Sequence, residues 1–298
     1  MAKERRQLSG RVVAITGGAR GIGKATAKAL VAKGCRVAIG DLDLELAEKT
    51  AAELGGGTVA LPLDVTDRAS FERFLDEAEG HLGPVDAVVN NAGIMPVTPF
   101  AEEAEDSIRR QVEINFLGVA TGTQLAIRRL LPRGGGYIVN IASQAGKAGI
   151  PGIATYSGTK HAVVGLSEAV RAELRGTGIE VLCVMPTVVN TELTSGVGQR
   201  WVKPVEASDV ADEIVAAMEA PRFDVFVPRA NGVLHRVLAL LPRGWREALG
   251  RAMKVDKLMT EVDHGARRAY EERAAASKAA SKAGSEEKPA AAPQRDAA

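Results

Sequence analysis

The chain predicts an α/β fold: one domain built on a doubly wound, mostly parallel seven-stranded sheet (α/β), followed by a C-terminal helical extension. Three observations carry this. Short apolar runs alternate with helical patterns through about the first 190 residues, the signature of parallel strands joined by crossover helices. The runs are near-continuous in β-branched and apolar residues, as strands covered on both faces must be. A glycine-rich turn, Gly17 to Gly23, joins the first run to the first helical pattern.

The strand-like runs are residues 12–16, 36–40, 59–63, 87–90, 137–141, 180–185 and 224–228. Between them, apolar residues at helical spacing predict helices over 22–33, 44–54, 69–82, 104–131, 155–176 and 207–219. The expected organisation is a domain over 8–228, a basic and apolar helical extension over 229–273, and a disordered tail over 274–298. That tail is mostly Ala, Lys, Ser, Glu and Pro, too poor in apolar bulk to offset the entropy of ordering.

With 46% hydrophobic residues in a chain of 298, one sizeable core is within reach. A net charge of +1 supplies no field to draw in nucleic acid, and no nucleic-acid partner is expected. Cys35 and Cys183 both lie in apolar runs, which reads as two buried thiols rather than a disulfide framework or a metal cluster. The charged N-terminus has no apolar signal region and no run reaches membrane-spanning length, so the expectation is a cytoplasmic protein.

In the turn after residues 12–16, Gly17, Gly21 and Gly23 answer three steric needs: a sharp bend, backbone approach to a pyrophosphate, and close packing of helix on strand. The helix that begins near Ile22 offers unpaired N–H groups and a positive dipole end to phosphates. Asp41 closes the second run, where a carboxylate can accept bonds from both ribose hydroxyls and repel a 2′-phosphate. That argues for NAD, with NADP as the alternative. Arg20 is the counter-signal, because a guanidinium in this loop suits that phosphate. Asp43 is a rival to Asp41, read as a solvated loop acid.

TGxxxGxG at 16–23, Asn90-Asn91-Ala92-Gly93, Ser143 and Tyr156-Ser157-Gly158-Thr159-Lys160 stand in the order and at the spacings of one family. Over residues 8–228, about three-quarters of the chain, the sequence resembles the short-chain dehydrogenase/reductases. The resemblance implies a Rossmann-type sheet that holds cofactor and catalytic groups in one domain. Tyr156 and Lys160 lie four apart in a helical pattern, so both face one way. A phenol with a reference pKa of about 10 needs a nearby cation to serve as a base, and Tyr156 would then exchange a proton with the alcohol or carbonyl oxygen. The resemblance has Lys160 hold the nicotinamide ribose, Ser143 bond the substrate oxygen, and Asn115 hold a water in a proton relay to Lys160. It also implies cofactor contacts from Asp64 and Val65, from Asn91, Ala92 and Gly93, and from Pro186, Val189 and Thr191. Thr187 stands where the family usually has glycine, a departure that bears on the backbone there.

Substrate positions are expected in the loops 94–97, 144–153 and 191–205, at Met95, Gln144, Ile150, Ile153 and Trp201. Their apolar character suits a lipophilic secondary alcohol or ketone of steroid, retinoid or terpenoid kind. Gly196, Gly198 and Pro204 bracket an expected lid. Three arrangements suit 233–257: a helical pair packed on the domain or a second subunit, a cover over the substrate pocket, or an interfacial helix on anionic lipid, given Trp245 and five interleaved cations. The family implies a homotetramer or homodimer through 104–131 and 155–176. Competing functions are an NADPH-dependent carbonyl or 3-oxoacyl reductase and a non-catalytic dinucleotide sensor.

Overall fold

A computed structural model describes residues 5–196, 204–252, 262, 263, 265–268 and 270. Alternating strand and helix build β1 (Val12–Thr16), α1 (Gly21–Ala32), β2 (Arg36–Asp41), α2 (Leu44–Leu54), β3 (Val59–Pro62), α3 (Arg68–Leu82) and β4 (Ala87–Asn90). The chain continues through α4 (Glu105–Val112), α5 (Gly118–Leu130), β5 (Gly136–Ile141), α6 (Ala154–Glu173) and β6 (Ile179–Pro186). It then forms β7 (Val189–Asn190), β8 (Val205–Glu206), α7 (Ala207–Glu219), β9 (Asp224–Val227), α8 (Ala230–Leu240) and α9 (Arg243–Ala252).

Seven strands pair in parallel in the order β3-β2-β1-β4-β5-β6-β9. Both faces are covered. Val13 and Ile15 pack with α1, α2 and α7, whereas Val12 and Ala14 pack with α3, α5 and α6. Period-two alternation therefore sends apolar residues to two cores, which is why these strands read as unbroken apolar runs. The order reverses between β1 and β4, and the crevice beyond their carboxyl ends is where ligands of open α/β sheets bind.

Two features depart from the expectation. The helix expected over 104–131 is interrupted by a π-helical turn, Glu113–Leu117. One extra residue per turn rotates the inner face locally, and it brings Asn115 to full burial beneath the loop after β4. A simple 3.6-residue periodicity cannot reveal such an insertion. The second is a two-stranded sheet of β7 with β8, too short to show as a run, which joins the chain on either side of residues 191–204. The expected lid lies mostly outside the described residues, as does Trp201, and the tail over 274–298 lies wholly outside them.

Candidate active site

The loop after β1 is shaped by what it excludes. Gly17 and Gly21 take positive φ, +63° and +54°. A Cβ on Gly23 would sit 2.2 Å from the Gly17 carbonyl oxygen, so only glycine lets α1 start so close under the loop. Gly23 is thus buried packing and does not line the cleft. Asn91 holds the loop from the β4 side: its side-chain amide donates to the Thr16 and Gly17 carbonyls, both at 2.9 Å. The Thr16 hydroxyl accepts from the Asn91 and Ala92 amides at 2.9 and 3.0 Å. Whereas Asp43 caps α2 and Asp67 caps α3, α1 has no side-chain cap and no acid in its first turn. Its first amides open into the cleft beside glycines, an arrangement that fits a diphosphate.

Asp41, at the end of β2, accepts from the Ala19 amide at 3.0 Å and from the Asp43 amide at 3.2 Å. Burial pushes its carboxyl above the usual range, with those two amides pulling the other way. Arg20 is held by two carboxylates, Asp43 at 2.6 Å and Glu192 at 3.3 Å. Asp43 is exposed in the loop before α2, as expected, and there it also caps the helix and pairs with Arg20. Asp64 accepts from the Thr66 amide and hydroxyl at 2.9 and 2.6 Å. With Val65 it forms the cleft edge beyond β3.

Ser143 leaves β5 and Tyr156 stands on the first turn of α6, which brings both side chains to the cleft at the sheet's carboxyl edge, near enough for Ser143 to lower the pKa of the phenol. Burial pushes the Tyr156 phenol up to about 12, against the lowering effect of Ser143. One turn on, burial pulls the Lys160 ammonium down to about 8. Lys160 Nζ donates to the Ile141 carbonyl at 2.7 Å and lies 5.6 Å from the centre of the Tyr156 ring. The two groups thus share one desolvated corner that disfavours both of their charged forms.

Asn115 does not line the cleft. Its side chain clasps one peptide unit, accepting from the Ile94 amide and donating to the Ile94 carbonyl, each at 2.8 Å. It also donates to the Thr159 hydroxyl at 3.3 Å. Both amide hydrogens are spent, so the side chain positions the Asn91–Ile94 loop against α6.

The cleft that joins these groups has a volume of about 1480 Å³, beyond the roughly 300–1,000 Å³ of a pocket for one small ligand. It has room for a dinucleotide and a second molecule. The sequence matches the model of the short chain dehydrogenase family over residues 11–200. The chain belongs to the short-chain dehydrogenase family. It is an oxidoreductase of the kind that acts on CH–OH groups. Over 196 residues it is 41% identical to a sorbitol dehydrogenase of Cereibacter sphaeroides, covering 65% of this chain and 77% of that one. Over 218 residues it is 35% identical to a 3-oxoacyl-acyl-carrier-protein reductase of Rattus norvegicus, covering 71% and 92%. A short-chain dehydrogenase/reductase from Burkholderia phymatum, solved in complex with NAD, superposes with a TM-score of 0.72 at 26% identity, covering 78% and 93%.

The walls of this dehydrogenase's cleft differ in chemistry from end to end. Beyond Tyr156 they are apolar: Met95, Ile150 and Ile153, expected from the sequence, with Val188 and Leu193. Pro186, Val189 and Thr191 line the adjoining side. The Thr187 amide donates to the Val227 carbonyl at 2.9 Å, so the chain leaves β6 still joined to β9. Gln144 lines the cleft, but its amide serves the scaffold. It donates to the Val227 carbonyl at 3.1 Å and accepts from Asn231 on α8 at 3.0 Å. Helix α8 packs on β9, with His235 stacked on Phe226. Helices α8 and α9 together form an outer cleft wall through Leu234, Leu238 and Leu249. Packing on the domain and covering the pocket, two separate expectations for 233–257, are therefore one arrangement here; residues 253–257 lie outside the described residues.

Two residues were missed in the sequence. The Arg267 guanidinium is fully buried and donates to the carbonyls of Met95, Leu193 and Ser195 at 2.7, 3.2 and 3.0 Å. It thereby ties together the loops on both sides of the apolar end. The Tyr270 hydroxyl accepts from the Met95 amide at 2.8 Å, and Tyr270 lines the cleft. The family match ends at residue 200, and the only local signal was a tyrosine and basic residues in an otherwise polar stretch.

Proposed function

We propose that this dehydrogenase interconverts a lipophilic secondary alcohol and its ketone with NAD(H), using Tyr156, Ser143 and Lys160. The observation that carries the reading is that Ser143 and Tyr156 line the cleft together, beside a chamber walled by Met95, Ile150, Ile153, Val188 and Leu193. A polyol would leave its hydroxyls unpaired against such walls, whereas an apolar substrate leaves one oxygen to be read by two hydroxyls. Three supports favour NAD over NADP: the Asp41 carboxylate in the cleft, the engagement of Arg20 by Asp43 and Glu192, and the NAD complex of the Burkholderia phymatum neighbour. They weigh against the NADPH-dependent carbonyl or 3-oxoacyl reductase. A sensor would not need the assembled Ser143, Tyr156 and Lys160.

The glycine loop and the α1 amides would hold the diphosphate, Asp41 the adenosine ribose, and Asp64, Val65, Asn91, Ala92 and Gly93 the neighbouring surface. Lys160, Pro186, Val189 and Thr191 would hold the nicotinamide end. When bound, the dinucleotide supplies the hydride acceptor or donor. Tyr156 Oη takes the proton from the alcohol oxygen while giving up its own towards neutral Lys160, and the same transfers run backwards to protonate the carbonyl oxygen in reduction. The Ser143 hydroxyl donates to that oxygen as charge builds on it. Lys160 lowers the cost of a phenolate and passes the proton on. Asn115 is a positioning residue; the relay water assigned to it by resemblance would have to use its main chain.

Self-association through the outer faces of α4, α5 and α6 belongs to the same reading. Phe100, Val112 and Leu117 near that face are exposed, and sedimentation velocity would report the dimer or tetramer. The central test follows nicotinamide absorbance with NAD and NADP against apolar secondary alcohols and polyols. Turnover should favour NAD and apolar alcohols and fall a hundredfold or more in Tyr156→Phe, with NAD binding retained. Turnover unaffected by Tyr156→Phe, or confined to polyols, overturns the assignment.

A further inference from the structure

Among the described residues no helix is long and apolar enough to cross a membrane, yet the surface beside the cleft mouth is strongly apolar. On α8, Val233 is 63% exposed, Val237 53% and Leu240 85%; on α9, Trp245 is 71% exposed. Val233, Val237 and Leu240 recur at helical spacing, so they share one face. Singly exposed apolar residues are ordinary, but a grouped set marks a contact surface. None of these four lines the cleft, whereas Leu234, Leu238 and Leu249 on the same two helices do. The pair is therefore apolar on both sides, towards the chamber and towards solvent.

Charge narrows the occupant. Arg236, Arg243, Arg246 and Arg251 are exposed on the same two helices and line the cleft. Arg243 is paired with Glu247 at 2.9 Å and Arg236 lies 3.7 Å from Asp224. Arg246 and Arg251 have no carboxylate partner among the described residues. A second copy meeting this face across a two-fold axis would set the same arginines against each other. An anionic bilayer accepts the cations at its headgroups and Leu240 and Trp245 just beneath them.

We propose that α8 and α9 form a docking face for an anionic lipid surface, and that docking brings the cleft mouth against the bilayer, so that a membrane-dissolved alcohol enters without crossing water. The second half rests on the lipophilic-substrate reading; the docking itself does not. The face is made by the very helices that wall the cleft, so binding and substrate entry share one orientation.

The test uses the full chain with vesicles of phosphatidylcholine, with and without phosphatidylglycerol, and the variant Leu240→Ser/Trp245→Ser, whose changed side chains lie off the cleft. The wild type should co-sediment with the phosphatidylglycerol vesicles, less so with added salt and little with phosphatidylcholine alone. The variant should lose binding tenfold or more while keeping its turnover of a short water-soluble alcohol. Turnover of a long-chain secondary alcohol loaded into the vesicles should fall with it. Equal recovery of wild type and variant, or no recovery of either, overturns docking. So does a lipid-free wild-type oligomer that the variant dissociates, which would make the face a contact between copies. Vesicle binding with turnover of polyols alone would keep docking and overturn the lipophilic-substrate reading, so the two failures are distinct.

Discussion

The Arg20 guanidinium lies 2.6 Å from the Asp43 carboxylate, an ion pair that joins the glycine loop to the cap of α2. A loop arginine that would otherwise welcome a 2′-phosphate is thereby turned towards a carboxylate of its own chain. Asp41, two residues earlier, adds a second negative group at the same place.

Cofactor choice should therefore respond to both acids. Asp41→Asn removes the charge yet leaves an oxygen for the Ala19 amide, and Asp43→Ser removes the shorter of the two carboxylate contacts on Arg20. The double variant should raise the NADP-to-NAD ratio of kcat/KM tenfold or more, about 1.4 kcal/mol. Adding Arg20→Ala should reverse much of that gain. A ratio unchanged from wild type, measured by initial rates with each dinucleotide, would remove Asp41 and Asp43 from the account of selectivity.

The pH response follows from the buried corner. With the phenol near 12 and the ammonium near 8, Tyr156 stays protonated through the working range while Lys160 titrates. Oxidation needs a group that can take a proton, so its rate should climb as pH rises through about 8, where Lys160 becomes able to accept one. Reduction needs the protonated phenol and should not gain from rising pH. Lys160→Met should abolish the limb near pH 8 in a kcat profile; a limb that persists belongs to another group.

Asn115 offers a test of positioning. Asn115→Ala strips the Ile94 amide and carbonyl of their side-chain partner, at a cost of about 1–3 kcal/mol for each group left unsatisfied. The midpoint of urea denaturation should fall accordingly, and kcat should fall with it because the Asn91–Ile94 loop loses its register. Asn115→Asp keeps the acceptor for the Ile94 amide but loses the donor, and should lie between the two in stability.

Arg267 should act at the substrate end alone. Arg267→Ala leaves three carbonyls without their shared donor and loosens the loops at Met95 and Leu193–Ser195. KM for apolar alcohols should rise several-fold, with NAD affinity by fluorescence titration unchanged. Lys has no planar fork to serve three acceptors, so Arg267→Lys should rescue little. Weakened NAD binding in either variant would show that the contact supports the whole cleft instead.

What was legible in the sequence was whatever depends on neighbours along the chain. Parallel strands buried on both faces declare themselves as β-branched runs, and Gly17, Gly21 and Gly23 declare a turn that by its backbone angles or its close packing favours glycine. Tyr156 and Lys160 declare a shared helix face because four residues make about one turn. The contacts that tertiary structure decided join positions far apart in the chain. Arg20 meets Glu192, Asn115 clasps Ile94 from a π turn hidden inside an apparently regular helix, and Arg267 reaches back to Met95. Hydrogen bonds of this kind leave no periodic trace, because either partner alone is an ordinary polar residue. Hence the chain by itself determined the sheet, the phosphate turn and the reacting side chains. Only folding decided which charges are already paired, and which segment closes the far end of the cleft.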